Sequence, residues 1–411
     1  MAIGLEFQTN WRIHREINAG RHAPPTLQYY PKMTPLFGSR TGIPGYSMES
    51  DSNEVEFVVE PALEESDRGR ARLIQVMDYL TAHIAMMDGY NCPMRKSSHP
   101  RVFSFNAPAD ALITPYDNRP TRAQPQATIG LQLSRVHEFV VEMGRIGLQP
   151  VNPNALFDSG GTGSQYYSQQ YQRIAQRAAT AGQLPIGSGQ APSNRLRGLL
   201  TMTTQYLLSG AIPGTRSYTK SLAWAMPRTD FASMFALLTH SERSYFSADP
   251  GRWVHYALLT AGLDNAGNTD QAAREFLVQA RISDTHTLDK PVRIPITRGM
   301  WLRDMALGVD AVDRFTEQGS NTPAMQNAYG IHRLYSLGRL GNTFDQVGLP
   351  RGTDNRRHLG VILELRQMRR DIPYTQWKQV ALDVFDFTRR INNRSDKVGD
   401  LPVYFAGSDI T

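Results

Sequence analysis

The chain has 411 residues, 40% of them hydrophobic, a formal net charge of +6 and a sequence pI near 9.4. This is enough apolar material for a large core, in one elaborated domain or two, and the single cysteine, Cys92, excludes an intrachain disulfide framework. The mild basic balance, carried by arginine more than lysine, suits anionic ligands, but no basic stripe interleaved with aromatics points to nucleic acid.

No stretch reaches the roughly 20 apolar residues that cross a bilayer, so no membrane partner is expected. The first residues already read as a strand, not as a signal peptide. A soluble cytoplasmic protein is expected; export as an effector by a dedicated machine would leave no trace in the sequence.

In chain order, residues 3–7 form a strand carrying Glu6. Acids recur through Glu49, Asp51, Glu54, Glu56 and Glu60, with Val55, Phe57 and Val59 between them. A two-residue period places Glu54, Glu56 and Glu60 on one face of a strand and the apolar residues on the other. Read alone, that alternation also describes a solvent-exposed surface strand. A helix from Asp67 to Asp88 follows, with Leu73, Val76, Met77, Leu80 and Ile84 spaced to pack beneath the acidic sheet. The strand 126–134 precedes a short amphipathic helix, Val136 to Arg145.

Residues 150–194 are rich in Gly, Ser, Gln and Asn around a helix from Gln165 to Ala181, a linker or lid in one reading and a phosphate-covering loop in another. Helices are expected at Leu196–Leu208, Asp230–His240, Trp253–Leu263, Gln271–Ala280, Arg298–Glu317 and Thr322–Leu337. Within this part, Lys220 and Arg228 flank a loop from which they could reach an anionic substrate, or Arg228 could pair with a nearby acid. The basic loop 350–358, with Arg351 and Arg357, leads into the strand that carries Glu364 and Arg366. An amphipathic helix, Tyr374 to Asn392, closes the pattern; Arg369-Arg370 and Arg389-Arg390 read either as anion contacts or as solvated helix faces.

The acidic segments resemble the amidoligase branch of the carboxylate-amine ligase superfamily, relatives of glutamate-cysteine ligase and glutamine synthetase. Gly4 and Glu6 are similar to the family's first strand, Asp51, Ser52 and Glu56, with Glu60-Pro61, to its second segment, and Glu364 with Arg366 to its late Glu-x-Arg strand. Gly130-Leu131-Gln132-Leu133-Ser134 lies where the family has a Gly-x-His-x-His strand, and Gln8 stands in place of a second acid in the first strand.

The resemblance implies an ATP-dependent ligase that joins a carboxylate to an amine through an acyl phosphate, using Mg²⁺ or Mn²⁺ as hard cations. Glu6, Glu56 and Glu364, then Asp51 and Glu54, would hold metal; Arg366, Arg228 and Lys220 would act in catalysis; Arg366, Arg351, Arg357 and Gln132 would contact the nucleotide or substrate. The substrates would be a carboxylate-bearing small molecule, peptide or protein and an amine.

The implied fold is α+β, with a mainly antiparallel sheet built from the N- and C-terminal segments and a large helical insertion. Its parts are an acidic-strand region (1–150), Gly/Ser-rich loops with one helix (151–194), a helical part (195–345) and a C-terminal strand and helix completing the catalytic domain (346–411).

Two other readings stay open. Cys92, in a turn after a helix, could be the nucleophile of a hydrolase or deamidase, with His99, His137 or His240 as base. Alternatively, Gln8 and the absent histidine pair would fit a catalytically degenerate ligase-like scaffold that serves as an effector or binding protein. A serine triad from His240, Ser241 and Glu242 is disfavoured, because adjacent helical residues point apart.

Overall fold

The computed structural model describes residues 2–16, 27–31, 33–38, 45–51, 53–64, 66–90, 92–115, 120–147, 191–209, 225–227, 229, 231–261, 298–308, 360–365 and 371–393. These residues divide into two compact units. One gathers those of Met1–Ile129 and Met368–Arg389, the other those of Gly130–Ala155, Ser159–Gln367 and Arg390–Thr411. The fold is α+β, and every strand pairing for which a register is resolved is antiparallel. Among the described residues no helix is long and apolar enough to cross a membrane.

The first unit is built on β1 (Ala2–Glu16), with β2 (Leu27–Gln28), β3 (Pro35–Phe37), β4 (Tyr46–Asp51) and β5 (Glu54–Glu64). Helix α1 (Asp67–Tyr90) follows, then β6 (Met94–Arg95), β7 (Ala111–Thr114) and β8 (Arg122–Gln132). Its sheet runs β3-β4-β5-β1-β8. The first half of β1 lies between β5 and β8, and its second half pairs with β7.

An irregularity causes that change of neighbour. Against β5, the register slips between Gln8, opposite Glu56, and Arg12, opposite Glu54. Such extra residues bend a strand and increase its twist. Thr9 holds the bend: its hydroxyl donates to the Val55 carbonyl at 2.7 Å and accepts from the Trp11 N–H at 3.3 Å.

The core lies on one face of this sheet. Ile3, Leu5, Phe7, Val55, Phe57 and Val59 are buried there, as are the five residues of α1 that its helical spacing singles out. The chain's other end completes this layer. A short strand β11 (Ile372–Pro373) pairs with β8, and a single 3-10 turn, Tyr374–Gln376, leads into a long helix, Trp377–Asn392. Trp377 stacks on Phe7 with ring centroids 4.6 Å apart, and its indole N–H donates to the Ile372 carbonyl at 2.8 Å. A stacked pair of this kind contributes about 0.5–1.5 kcal/mol beyond the burial of its rings.

Three ion pairs, Asp67–Arg389, Arg70–Asp386 and Asp78–Lys378, run in opposite directions along α1 and this helix, which are therefore antiparallel. Exposed pairs add little stability, so they set direction more than they hold the helices together. Arg389 is thus paired with an acid across the helix interface.

The second unit begins with α2 (Leu133–Gly147) and continues through α3 (Asn194–Ser209), β9 (Ala225–Pro227), α4 (Phe231–Ala236), α5 (His240–Ala248), α6 (Pro250–Ala261), α7 (Arg298–Ala306) and β10 (Gly360–Leu365); the Trp377–Asn392 helix is α8. Phe235, Phe246 and Trp253 meet edge to face in its core. α2 crosses α3 so closely that a Cβ on Gly198 would meet the Leu133 carbonyl oxygen.

Two expected helices are shorter than their sequence pattern. Asp230–His240 breaks after Ala236 because Thr239 caps a new helix, with Glu242 completing the capping box. Buried Glu242 also accepts from the Ser193 N–H and hydroxyl, each at 2.9 Å, which ties the start of α3 to that of α5. Its capping role accounts for the His240-Ser241-Glu242 cluster without catalysis. Arg298–Glu317 stops as a helix at Ala306, where Gly308 adopts φ 73° and its N–H donates to the Met305 carbonyl. The strand expected at 126–134 ends at Gln132, so Ser134 is helical. The expected elements at Gln165–Ala181, Gln271–Ala280 and Thr322–Leu337 lie outside the described residues.

His83 sits in the first unit's core, its Nδ1 3.0 Å from the Tyr46 hydroxyl and its ring 4.3 Å from Phe37. Burial pushes its pKa down to about 4 from an ordinary 6.5. In the unfolded chain the ring takes a proton near pH 6.5, and in the folded chain only near 4. Stability is therefore fully present above the unfolded pKa and falls as pH drops through this window, by about 3 kcal/mol at its acid end. His83→Gln should flatten the pH dependence of the melting temperature between pH 6.5 and 4; an unchanged slope would contradict this assignment.

Candidate functional site

Because Phe7, Phe57 and Val55 fill the core, their sequence neighbours occupy the opposite face of the sheet. The register assigns them to rows. Glu49 on β4 lies opposite Glu56 on β5, Glu56 opposite Gln8 on β1, and Gln8 opposite Gln124 on β8. In the next row Ser47 faces Val58, Val58 faces Glu6, and Glu6 faces Gln126. Asp51 lies opposite Glu54 at the end of the β4–β5 ladder. Directly opposed residues of antiparallel strands share a face, with Cβ atoms about 4.5–5.5 Å apart.

This face is not a solvated surface. Glu56 is only 4% exposed and Gln126 9%, whereas Glu6, Gln8, Glu49, Asp51 and Glu54 are half-buried. The exposed-strand reading of the Glu/Val alternation therefore fails at Glu56, where a carboxylate has been taken out of water. Like charges opposed in this way, Glu49 to Glu56 and Asp51 to Glu54, destabilise a ladder unless something answers them.

Glu54 shows the strain electrostatically. Burial raises its pKa above the usual carboxylate range and Asp51 raises it further, while a 2.9 Å hydrogen bond from Gln8 Nε2 and the nearby Arg12 guanidinium oppose the rise. Gln8, which stands where an acid was expected, thus serves as a donor to an acid on the adjacent strand.

Four of the five expected metal-holding residues, Glu6, Asp51, Glu54 and Glu56, share this face. The fifth, Glu364, belongs to the second unit, where it lies opposite Met226 on the β9–β10 ladder and is 1% exposed. The Ile362 N–H of the same strand donates to the Thr229 hydroxyl at 2.9 Å. Gln132 is also in the second unit. Its backbone N–H donates to Asn392 Oδ1 at 3.3 Å, and Asn392 Nδ2 donates to the Gly130 carbonyl at 3.0 Å, so the Asn392 side chain fastens the end of β8. Lys220, Arg228, Arg351, Arg357 and Arg366 lie outside the described residues, as does Ser52.

Sequence reasoning passed over Gln124 and Gln126. The signal was present, since Gln124, Gln126 and Thr128 alternate with Pro125, Ala127 and Ile129 in the same two-residue period as the acids. Among the described residues no three His, Cys, Asp or Glu side chains come together as a metal cage. Mg²⁺, however, commonly keeps several waters and takes only one or two carboxylates alongside substrate phosphates, so the oxygen donors of this face suit it.

A second constellation lies in the loop after α1. Exposed Cys92 has its Sγ 3.7 Å from His99 Nε2. The Arg95 N–H donates to His99 Nδ1 at 3.3 Å, the Ser98 hydroxyl is 2.9 Å from the same nitrogen, and the Tyr90 ring meets the imidazole edge to face. No family model, curated protein or solved structure matches the chain.

The Gln8–Glu54 bond carries a direct test. A raised carboxyl pKa makes the neutral form more accessible folded than unfolded, so this group removes stability as pH rises through its titration. Gln8→Leu deletes the opposing donor and should move the Glu54 pKa further up, read by carboxyl ¹³C NMR titration. A fall would mean that Gln8 does not stabilise the ionised form.

Proposed function

We propose that this chain is an ATP- and divalent-metal-dependent ligase that joins a carboxylate to an amine through an acyl phosphate, with its site on the polar face of the first unit's sheet. One observation carries the reading: the acids whose order resembles the amidoligase pattern share a face opposite the core, and Glu56 among them is buried. A buried carboxylate with acidic neighbours favours a bound cation.

In this reading Glu56 and one of its neighbours, Asp51 or Glu54, supply oxygen ligands from a rigid sheet, which holds them without the rotamer search that a loop would require. A bound Mg²⁺ would neutralise phosphate charge during phosphoryl transfer. Gln8 keeps Glu54 oriented and favours its ionised form. For Glu364, Arg366, Arg351, Arg357, Arg228, Lys220 and Gln132 the roles in holding metal, nucleotide or substrate are proposed on the resemblance alone.

Titration calorimetry with a non-hydrolysable ATP analogue, with and without Mg²⁺, tests it. Metal-dependent binding should weaken tenfold or more in Glu56→Gln and in Arg366→Ala, a loss of about 1.4 kcal/mol or more. Absence of binding under every metal condition would overturn the ligase and leave the degenerate scaffold as the better account.

The Cys92–His99 approach favours a second reading, a thiol hydrolase or deamidase. A base that takes the thiol proton must present a bare nitrogen to the sulfur. Here Nδ1 accepts from the Arg95 N–H, which places the neutral ring's proton on Nε2, facing Sγ. Such a ring can donate to a thiolate but is poorly set to generate one, so this reading ranks below the ligase. Iodoacetamide should therefore leave nucleotide binding unchanged; abolition of a measured amidase activity by Cys92→Ala would reverse that order.

A further inference from the structure

The polar face has two chemically different halves. On β4 and β5 acid opposes acid, Glu49 to Glu56 and Asp51 to Glu54, whereas β1 and β8 carry Glu6 with the amides Gln8, Gln124 and Gln126, and Arg12 beyond them opposite Glu54. The first half concentrates negative charge; the second carries one carboxylate and several amides.

Gln126 distinguishes this second half. It is 9% exposed, and its Oε1 is buried without a hydrogen-bond partner. A buried amide oxygen without a donor has lost its water and gained nothing in return, which is uncommon in folded chains. The register sets Gln126 directly opposite Glu6, so its amide and that carboxylate share one spot on the face. Gln8 is the next residue on the same face of β1, but its Nε2 is already committed to Glu54.

We propose that Glu6 and Gln126 form the binding site for a primary ammonium group, such as that of a lysine side chain or an alkyl diamine. An ammonium carries one positive charge and three N–H donors. One carboxylate matches its charge, and the amide oxygen takes a donor. A divalent metal, by contrast, is better answered by the acid-on-acid half, where carboxylates are denser. The proposal rests on the ligase reading for its role, since it names the amine substrate as a primary alkylamine that enters as its cation beside the nucleotide. The binding itself does not require that reading.

Calorimetry on the full chain with 1,5-diaminopentane tests it, with tetramethylammonium, which has the charge but no N–H donor, as the control. The diamine should bind and tetramethylammonium should not, and Gln126→Met and Glu6→Gln should each weaken binding about tenfold or more while both variants keep the wild-type melting transition. Saturating Mg²⁺ should leave diamine binding in place.

Equal binding of tetramethylammonium, displacement by Mg²⁺, or unchanged affinity in both variants would overturn the proposal, as would no diamine binding to the wild type. The ATP analogue separates this from the ligase question. Diamine binding without nucleotide binding would uphold the ammonium site and sink the ligase. Nucleotide binding without diamine binding would do the reverse.

Discussion

The stacking of Trp377 on Phe7 is the contact from which the first unit's organisation follows. It brings a residue near the chain's end against a strand at its beginning and so decides which face of β1 is the core. Once Phe7 points inward, the alternation of the strand leaves Glu6 and Gln8 no choice of side. The same constraint passes through the ladders to β5 and β8, where Phe57 and Ala127 are buried on the core face and Glu56 and Gln126 are set on the other. A slip of one residue would bury a row of acids and amides and expose the aromatic layer. Each large apolar side chain in that layer contributes roughly 1.5–3 kcal/mol through burial, so the correct register is favoured by far more than any single polar contact could recover.

The polar face is therefore a by-product of core packing in its position, but not in its composition. Packing requires only that these residues not be the core. It does not require Glu opposite Glu, nor a buried Glu56, and both oppose folding. Tolerated costs of this kind often concentrate where a protein does its chemistry. Glu242 in the second unit makes the contrast with Gln126. It too is removed from water, yet its carboxylate accepts from Ser193 and Thr239, and the capping of two helices accounts for it fully. Nothing comparable explains the Gln126 amide oxygen.

What could be read in the sequence was what a short period encodes. The two-residue alternation gave the face of Glu54 and Glu56, and the three-and-four spacing gave the buried stripe of α1 and that of α8 from Trp377 to Phe385. Non-local features were less legible. The slip in β1 at Gln8 depends on the Thr9 hydroxyl reaching Val55, which no local pattern announces. The break at Leu237–Thr239 depends on a capping box that competes with a continuous apolar stripe, and it forms because the cap also satisfies Ser193. Gln126 was missed for a different reason: an amide in a strand is unremarkable until its partner across the ladder and its loss of water are both known.

The division of the face into an acidic half and an amide half gives the replacement of an acid by Gln8 a physical sense. A carboxylate at that position would lie directly opposite Glu56 on one side of β1, within a row that already carries Glu49, and three acids would then follow one another across adjacent strands. An amide there removes one negative charge and adds a donor, which Glu54 accepts. Gln8 thus lowers the repulsion that burial has made expensive and marks the boundary between the two halves. A departure from an acidic strand pattern is, at this position, a way of favouring the ionised form of Glu54.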